Sequence, residues 1–395
     1  MTGETKFGLR SVFLMLLAVL TAASIFWSAA LIHLLLTRAE GFLIGPTAPL
    51  GADFINLWTA ALMVLQGKTR EIYDWQLFNA FQQSFLNAYI GHRLWAYPPH
   101  SLLFVWPFGL LGFVPALIAW SVLGLVVMVA GARRFGLSWC EAIVLVGSPA
   151  ALESLINGQS GNLACGLLLA SLASMRKPVG ATALSAAILT VKPQLGLLLP
   201  VIWLKDRRWT LIALTSGLTL LFFLASAALF GPDSWRLYLS STLPELSNLQ
   251  RTGKGAYMEM IPSFFMSARL LGFEGDSAFR LHLLIAVPIL IFAIWRILVE
   301  EDRFRRAAIA IAATCLVSPY LHTYDLTLLV AMALILMRRT DWGIAAMVIA
   351  WPLPLVMEPL AKSGWPIAPL FVLALLALAC IPASKTSARV AAQDA

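Results

Sequence analysis

The carboxylate of Asp53 opens an otherwise apolar segment, and no lysine or arginine lies between it and Lys68. Such a carboxylate can act as a general base that takes a proton from a substrate hydroxyl. It can also cap the helix that follows, because Asp accepts hydrogen bonds from the free N–H groups of a first turn. Both interpretations stay open on the local sequence. The apolar neighbours of Asp53 predict a partly desolvated carboxylate with no cation beside it.

Two further stretches place ionisable residues between apolar runs. Lys192 precedes a proline, and His322 lies between Tyr320 and the pair Tyr324-Asp325. A lysine can supply positive charge to a departing phosphate, although a lysine in a membrane span more often extends to the interface. A histidine can donate to a phosphate or carry a proton, although a lone one more often has a packing role. The sequence therefore offers a base and two groups suited to phosphate.

The composition determines the class of protein that holds these residues. The chain has 395 residues, is 60% hydrophobic and 12% charged, and has a mean hydropathy of +0.82. Apolar runs separated by short basic clusters are typical of an all-α polytopic membrane protein. The net charge of +8 comes from basic groups at span ends, and no nucleic-acid motif accompanies them. We therefore expect the lipid bilayer, and no nucleic acid, as a partner.

We predict about twelve crossings with both termini in the cytoplasm, because the positive-inside rule places the basic clusters on one side. The predicted crossings are 11–36, 114–132, 138–153, 160–175, 179–191, 194–204, 209–230, 280–299, 307–319, 325–337, 342–358 and 366–383. They form one integral-membrane domain over 1–383, followed by a disordered cytoplasmic tail at 384–395.

Two segments, 37–100 and 231–279, are predicted to lie outside the membrane. The first is expected to hold an amphipathic helix at 54–66 and a second helix at 75–89 that lie in the interface plane. The second contains a half-span at 263–272 that re-enters the membrane. The stretch 98–112 is expected to lie against the outer face or dip into it.

Four predicted crossings are too short for a hydrocarbon core of roughly 30 Å at about 1.5 Å per residue. They form two consecutive pairs, 179–191 with 194–204 and 307–319 with 325–337. Each pair is expected to meet within the outer half of the membrane, at the turns that carry Lys192 and His322. Irregular backbone at that depth is tolerated only where protein covers it or a wet cavity adjoins it. The two turns are therefore candidate parts of one polar cavity.

The motifs, taken in order, resemble those of glycosyltransferase family 87, the polyprenol-phosphate-mannose-dependent mannosyltransferases of the GT-C superfamily. The resemblance covers about residues 50–340. It is carried by Asp53-Phe-x-x-x-Trp-x-Ala, Tyr97-Pro-Pro, Asn157-Gly-Gln, Lys192-Pro-Gln and Ser318-Pro-Tyr-Leu-His. It implies a GT-C fold with extracytoplasmic juxtamembrane helices and an active-site cavity at that membrane surface.

The resemblance also implies the reaction and the place of the essential acid. A hexose, mannose in this family, moves from a polyprenyl-phosphate-linked donor to a hydroxyl of an extracytoplasmic glycan or glycolipid acceptor. The essential acid falls on Asp53. We also expect inverting transfer, and a location in a bacterial inner membrane with the active site on the extracytoplasmic face. Many GT-C enzymes carry a paired acid here, whereas the neighbours of Asp53 are Ala52 and Phe54. A divalent metal is therefore not implied, and no cofactor is expected.

The remaining candidate residues have both a functional and a structural interpretation. Lys192 and His322 are the candidates for the donor phosphate, and His322 is also a catalytic candidate. Candidates for substrate binding are Gln159, Asn157, Tyr97, His100, Tyr320, Tyr324 and Glu259. The structural alternatives are helix caps for the two amides, ordinary interfacial aromatics, and a solvated loop acid for Glu259.

A transporter or flippase of a lipid-linked saccharide is the alternative function. It would need the same polar cavity without the chemistry. Transporters more often show two related halves or paired broken helices at corresponding positions. This chain instead concentrates a long external segment after its first span, which favours the enzyme.

Overall fold

The computed structural model describes residues 3–45, 48–86 and 90–382, so the predicted tail at 384–395 lies outside the described residues. The described chain is helical, with short 3-10 turns between helices. In chain order the helices are α1 (Gly3–Arg38), α2 (Phe54–Leu65), α3 (Trp75–Leu86), α4 (Leu102–Val105), α5 (Phe113–Phe135), α6 (Trp139–Val146), α7 (Pro149–Ile156), α8 (Gly161–Leu172), α9 (Val179–Leu189), α10 (Leu199–Lys205), α11 (Trp209–Phe230), α12 (Pro232–Leu237), α13 (Leu243–Thr252), α14 (Ala256–Glu259), α15 (Phe264–Leu270), α16 (Gly275–Val299), α17 (Arg303–Val317), α18 (Thr327–Arg339), α19 (Gly343–Ala350), α20 (Leu353–Lys362) and α21 (Ala368–Cys380).

Among the described residues, four helices are long and apolar enough to cross a membrane, namely α1 from Arg10, α5, α11 and α16. The count rises to six if two bent pairs, α6 with α7 (54°) and α19 with α20 (52°), each form one span. The chain is thus an α-helical membrane protein, but the predicted count of about twelve crossings is not supported. Each predicted crossing does contain a helix, and several of these helices are too short to span alone.

The short helices form the centre of the molecule. Almost every residue of α17 and α18 is buried. By contrast, the most apolar windows of α1 and α11 are each only 11% buried. A helix that is apolar and buried all round belongs in a core, whereas an exposed apolar surface on a span faces lipid. The long helices therefore surround a core of short ones.

The basic clusters meet at one end of this helix array. Arg134 donates to the carbonyl of Pro178 at 2.8 Å, and Arg306 pairs with Asp206 at 2.8 Å. Arg338 pairs with Glu141 at the same end. Helix α5 ends at Arg133-Arg134 and begins beside Phe54, since the Phe54 and Phe113 ring centroids are 5.4 Å apart. Asp53, the neighbour of Phe54, therefore lies at the end opposite the basic clusters.

The lengths of the short helices lead us to infer a recess on the Asp53 side. The four helices α8, α9, α17 and α18 reach the basic end and have 12, 11, 15 and 13 residues. At about 1.5 Å per residue they rise roughly 16–23 Å, whereas α5, with 23 residues, rises roughly 35 Å. We infer that the turns that carry Lys192 and His322 lie below the level at which α5 begins.

The external helix α2 differs from its prediction. Eight of its twelve residues are buried, so it is not a surface amphipathic helix. It is covered by the stretch 98–112, which forms short helical turns rather than a crossing, and Trp58 donates to the carbonyl of Leu111 at 3.0 Å. The half-span predicted at 263–272 corresponds to the seven-residue α15. Burial of α2 holds Asp53, at its N-terminus, in a fixed place.

Helices α5 and α8 cross in direct backbone contact at Gly131 and Gly166. A Cβ atom at Gly131 would lie 2.0 Å from the carbonyl oxygen of Gly166, and one at Gly166 would lie 2.2 Å from that of Val127. Backbone atoms cannot move aside as a flexible side chain can. The position of α8, which begins next to Gln159, therefore depends on these glycines.

Gly166→Ala should lower the free energy of unfolding by about 1–3 kcal/mol, because the added methyl group forces α8 away from α5. The matched control is Gly217→Ala in α11, where a Cβ would meet no described atom within 4 Å. That change should be neutral or stabilising by up to ~1 kcal/mol. Thermal unfolding in one detergent compares the two variants, and equal shifts in their midpoints would contradict the close crossing.

Candidate active site

The carboxylate of Asp53 is held by two side chains from distant parts of the sequence. Asp53 stands at the N-cap position of α2, yet its side chain caps no N–H of the described backbone. Instead Oδ1 accepts a hydrogen bond from Nη1 of Arg93 at 2.8 Å, and Oδ2 accepts one from Nε2 of Gln159. The side chain is 47% exposed. The geometry thus does not support the cap, and leaves an oriented carboxylate that a substrate can reach.

The surroundings of Asp53 differ from the prediction of a desolvated carboxylate with no cation nearby. Arg93 provides that cation from 40 positions further along the chain. Its guanidinium also donates to the carbonyls of Ile90 at 3.1 Å and Ala52 at 3.3 Å, and only 17% of its side chain is exposed. These bonds fix the guanidinium before any substrate binds.

Arg93 was missed because its role depends on a contact between remote segments. One signal was nevertheless present in the sequence. Arg93 is the only lysine or arginine between Arg70 and Arg133. A single cation in a segment that resembles part of an enzyme with a lipid-phosphate donor is a candidate for contact with that phosphate.

The turn at 157–159 positions Gln159 against Asp53. The N–H of Asp53 donates to the carbonyl of Asn157 at 3.2 Å, which joins the two segments. Gly158 has a φ of +59°, and a Cβ there would lie 2.4 Å from the Cβ of Phe54. A side chain would therefore be strained and would also separate the segments. Glycine at this position lets Gln159 reach the carboxylate.

Asn157 does not have its predicted capping role. It ends α7 as the C-cap residue, and α8 begins later with Ser160 at its N-cap. Tyr97 lies close by, since its hydroxyl shares a hydrogen bond with Ser160 Oγ at 2.9 Å and its ring lies 4.9 Å from that of Trp95. Tyr97 thus belongs to the same wall of the site as Gln159.

Lys192 forms a buried ion pair with Asp325. Its Nζ lies 2.8 Å from Oδ1 of Asp325, and the two side chains are only 8% and 5% exposed. The ammonium also lies 5.1 Å from the centroid of the Tyr324 ring. Contact between Lys192 and a donor phosphate stays a prediction. The ammonium group that would contact the phosphate is already paired with Asp325.

His322 lies close enough to Asp53 for that carboxylate to affect its pKa. Its ring stacks on that of Tyr324, with centroids 5.1 Å apart and an interplanar angle of 7°, and meets the edge of Tyr257 at 5.7 Å. Burial lowers the pKa of His322, and the nearby carboxylates of Asp325 and Asp53 oppose that shift. The lowered pKa favours the neutral imidazole of His322, which lies on a turn outside the spanning helices. One ring nitrogen can then donate a hydrogen bond and the other can accept one.

Two of the predicted substrate-binding residues are packed against other side chains. His100 is hydrogen-bonded through Nε2 to Thr190 at 3.1 Å and stacks on Trp235. Burial lowers the pKa of His100 to about 4. Tyr320 packs against the edge of Phe265, with centroids 6.0 Å apart. For these two residues the structure shows a packing role.

Glu259 faces a cation. One of its carboxylate oxygens is 3.8 Å from Nζ of Lys362, and its side chain is only 16% exposed, so it is not a solvated loop acid. Among the described residues, no group of three or more His, Cys, Asp or Glu side chains could hold a metal ion. The ion pair that the structure shows for Asp53 is the one with Arg93.

Removing either partner of the Lys192–Asp325 pair should destabilise the fold by about 3–5 kcal/mol, because the remaining charge is buried and unpaired. Lys192→Met and Asp325→Leu test this separately, and the double variant should recover most of the loss. As a control, Arg70→Met breaks a pair whose side chains are 72% and 55% exposed, and should cost less than ~1 kcal/mol. Additive losses in the double variant would contradict the pairing.

The family model described as Glycosyltransferase family 87 matches residues 95–319, which is more than half of the chain. Tyr97, Gln159 and Lys192 lie inside the matched range, whereas Asp53 and His322 lie outside it. Searches of curated proteins and of solved structures gave no match. The resemblance seen in the motifs is thus confirmed at the level of the family, and the chain belongs to glycosyltransferase family 87 as a membrane glycosyltransferase.

Proposed function

We propose that the protein transfers a hexose, by the family resemblance mannose, from a polyprenyl-phosphate-linked donor to a hydroxyl of a glycan or glycolipid acceptor. The site is assigned to the extracytoplasmic face of a bacterial inner membrane, opposite the basic end. The observation that supports this proposal best is the Asp53 carboxylate, half exposed and held by Arg93 and Gln159 at the edge of a recess. Family membership favours transfer over the transporter alternative.

In the proposed reaction, Asp53 takes the proton of the acceptor hydroxyl. The acceptor oxygen forms a bond to the anomeric carbon of the sugar while the bond from that carbon to the phosphate oxygen breaks. The electron pair of the broken bond leaves on polyprenyl phosphate. A single displacement of this kind inverts the configuration at the anomeric carbon. Holding the base and the two substrates in line supplies much of the acceleration expected of such a site.

The departing phosphate needs hydrogen-bond donors. Arg93 is suited to this task, because its Nη2 group makes no hydrogen bond with the described residues while Nε and Nη1 are fixed. His322 is proposed as a second donor from the recess. A phosphate beside Lys192 would share the ammonium with Asp325. We therefore propose that Lys192 stays paired with Asp325 during the reaction.

The remaining roles are proposed from the contacts described above. Gln159 orients the carboxylate, and Tyr97, Tyr324 and Asn157 line the space beside it and are proposed to meet the sugar. His100, Tyr320 and Glu259 are proposed only as supports of the surrounding structure. No step in this mechanism uses a cofactor.

The function is tested by incubating purified protein with polyprenyl-phosphate-linked mannose and measuring release of polyprenyl phosphate as candidate acceptors are added. Acceptor-dependent release is expected. Gln159→Leu should slow it roughly tenfold or more, the cost of losing one hydrogen bond to a charged group. Gln76→Leu, on the exposed surface of α3, is the matched control and should not change the rate. Absence of release with every sugar and acceptor tried would refute the proposal.

A further inference from the structure

A second space adjoins the candidate active site. A cavity of about 630 Å³ lies between α1, α7 and α20. It is large enough for a sugar headgroup and part of an alkyl chain, since small-molecule sites have volumes of roughly 300–1,000 Å³. Of the residues given roles in the proposed reaction, Asn157 lines this cavity, whereas Asp53, Arg93 and His322 do not. The proton transfer and the departure of the phosphate therefore leave the cavity without a role.

The mouth of this cavity opens toward lipid. Trp27 on α1 and Leu355 on α20 stand among its lining residues, and they are 70% and 63% exposed. Both helices belong to candidate spans, so exposed apolar side chains on them face hydrocarbon. Ser24 and Ser28, on the same wall, lie near the middle of the span from Arg10 to Arg38. A molecule entering here would come from within the bilayer.

The charges inside the cavity are unsuited to an anion. Glu153 and Glu358 contribute two carboxylates, and Lys362 contributes one ammonium. That ammonium is already paired with Glu358, and Glu259 lies 3.8 Å from it. A phosphate placed here would lie near the carboxylate of Glu358, with no uncommitted cation among the described lining residues. Like charges repel, so an anionic headgroup is disfavoured beside this carboxylate.

The inner end of the cavity reaches the active site through two contacts. Asn157 lines the cavity, and its carbonyl accepts the hydrogen bond from the N–H of Asp53. Thr323, the neighbour of His322, also lines the cavity and donates its hydroxyl hydrogen bond to Glu153. Carboxylate, amide and hydroxyl groups of this kind are partners for sugar hydroxyls.

We propose that this cavity binds the acceptor, and that the acceptor is a membrane amphiphile whose headgroup is an uncharged sugar. Its alkyl chain would pass between Trp27 and Leu355 into the bilayer, and its headgroup would meet Glu153 and Asn157. The lipid-phosphate donor approaches Asp53 from another side, where Arg93 lies. This inference rests on the proposed function, because it takes Asp53 as the base that activates the acceptor hydroxyl.

Photolabelling tests the site without requiring turnover. The protein in lipid nanodiscs is exposed to dodecyl mannoside with a diazirine in its chain, and labelled peptides are mapped by mass spectrometry. Labelling is expected on α1 and α20 at the cavity, and excess unlabelled dodecyl mannoside should prevent it. Dodecyl phosphate and dodecyl trimethylammonium at the same concentration should protect much less. Equal or better protection by either charged amphiphile would overturn the assignment of an uncharged headgroup.

A matched pair of variants locates the site. Ser28→Trp fills the cavity and should reduce protectable labelling by roughly tenfold or more, because a large side chain occupies the space of the ligand. Ala29→Trp adds the same side chain at an exposed position on α1 and should leave labelling unchanged. Equal labelling in the two variants would place the amphiphile elsewhere. The release assay tests the proposed function separately, because it would fail if the unmodified protein released no polyprenyl phosphate.

Discussion

The buried ion pair of Lys192 with Asp325 is the interaction on which the recess depends. It joins the turn after α9 to the turn before α18, and both of these helices are too short to cross the membrane. Two charges in apolar surroundings are tolerated only together, since either one alone would be a buried unpaired ion. The pair therefore fixes how the two turns meet. Tyr324 and His322, on one of these turns, take their positions from it.

Asp53 reaches this recess from a different part of the molecule. It begins α2, which is buried beneath the stretch 98–112, and it is joined to the 157–159 turn through backbone and side-chain bonds. Arg93 completes the arrangement from a third segment. A carboxylate held by two donors from remote segments loses little freedom when a substrate arrives, which is the benefit of a preorganised site.

The helices were largely predictable from sequence, and the number of spans was not. Apolar runs showed where the helices lie, because hydrophobic length and breaking residues such as Pro193 and Gly136 are local signals. Hydropathy cannot distinguish a helix that faces lipid from one that is buried by other helices. For that reason α17 and α18, apolar and buried within the core, were counted as crossings.

The candidate site was predictable in part, for a similar reason. Asp53, Gln159 and His322 stood out because a polar residue in an apolar region is conspicuous in sequence. The partners of Asp53 and Lys192 were not apparent, since Arg93 is 40 positions from Asp53 and Asp325 is 133 positions from Lys192. Charge pairing between remote segments is decided by how helices pack, which single-residue patterns do not contain.

The most direct test of this account is the single-turnover rate of sugar transfer by Asp53→Asn with both substrates saturating. The amide keeps the size of the side chain but is not a base, so the rate should fall by at least ~100-fold while donor affinity is retained. Asp74→Asn is the matched control, because the Asp74 carboxylate accepts hydrogen bonds from the N–H groups of Gln76 and Leu77 at the start of α3. That variant should transfer at the normal rate. A near-normal rate in Asp53→Asn would contradict the account, because the carboxylate would then not be the base.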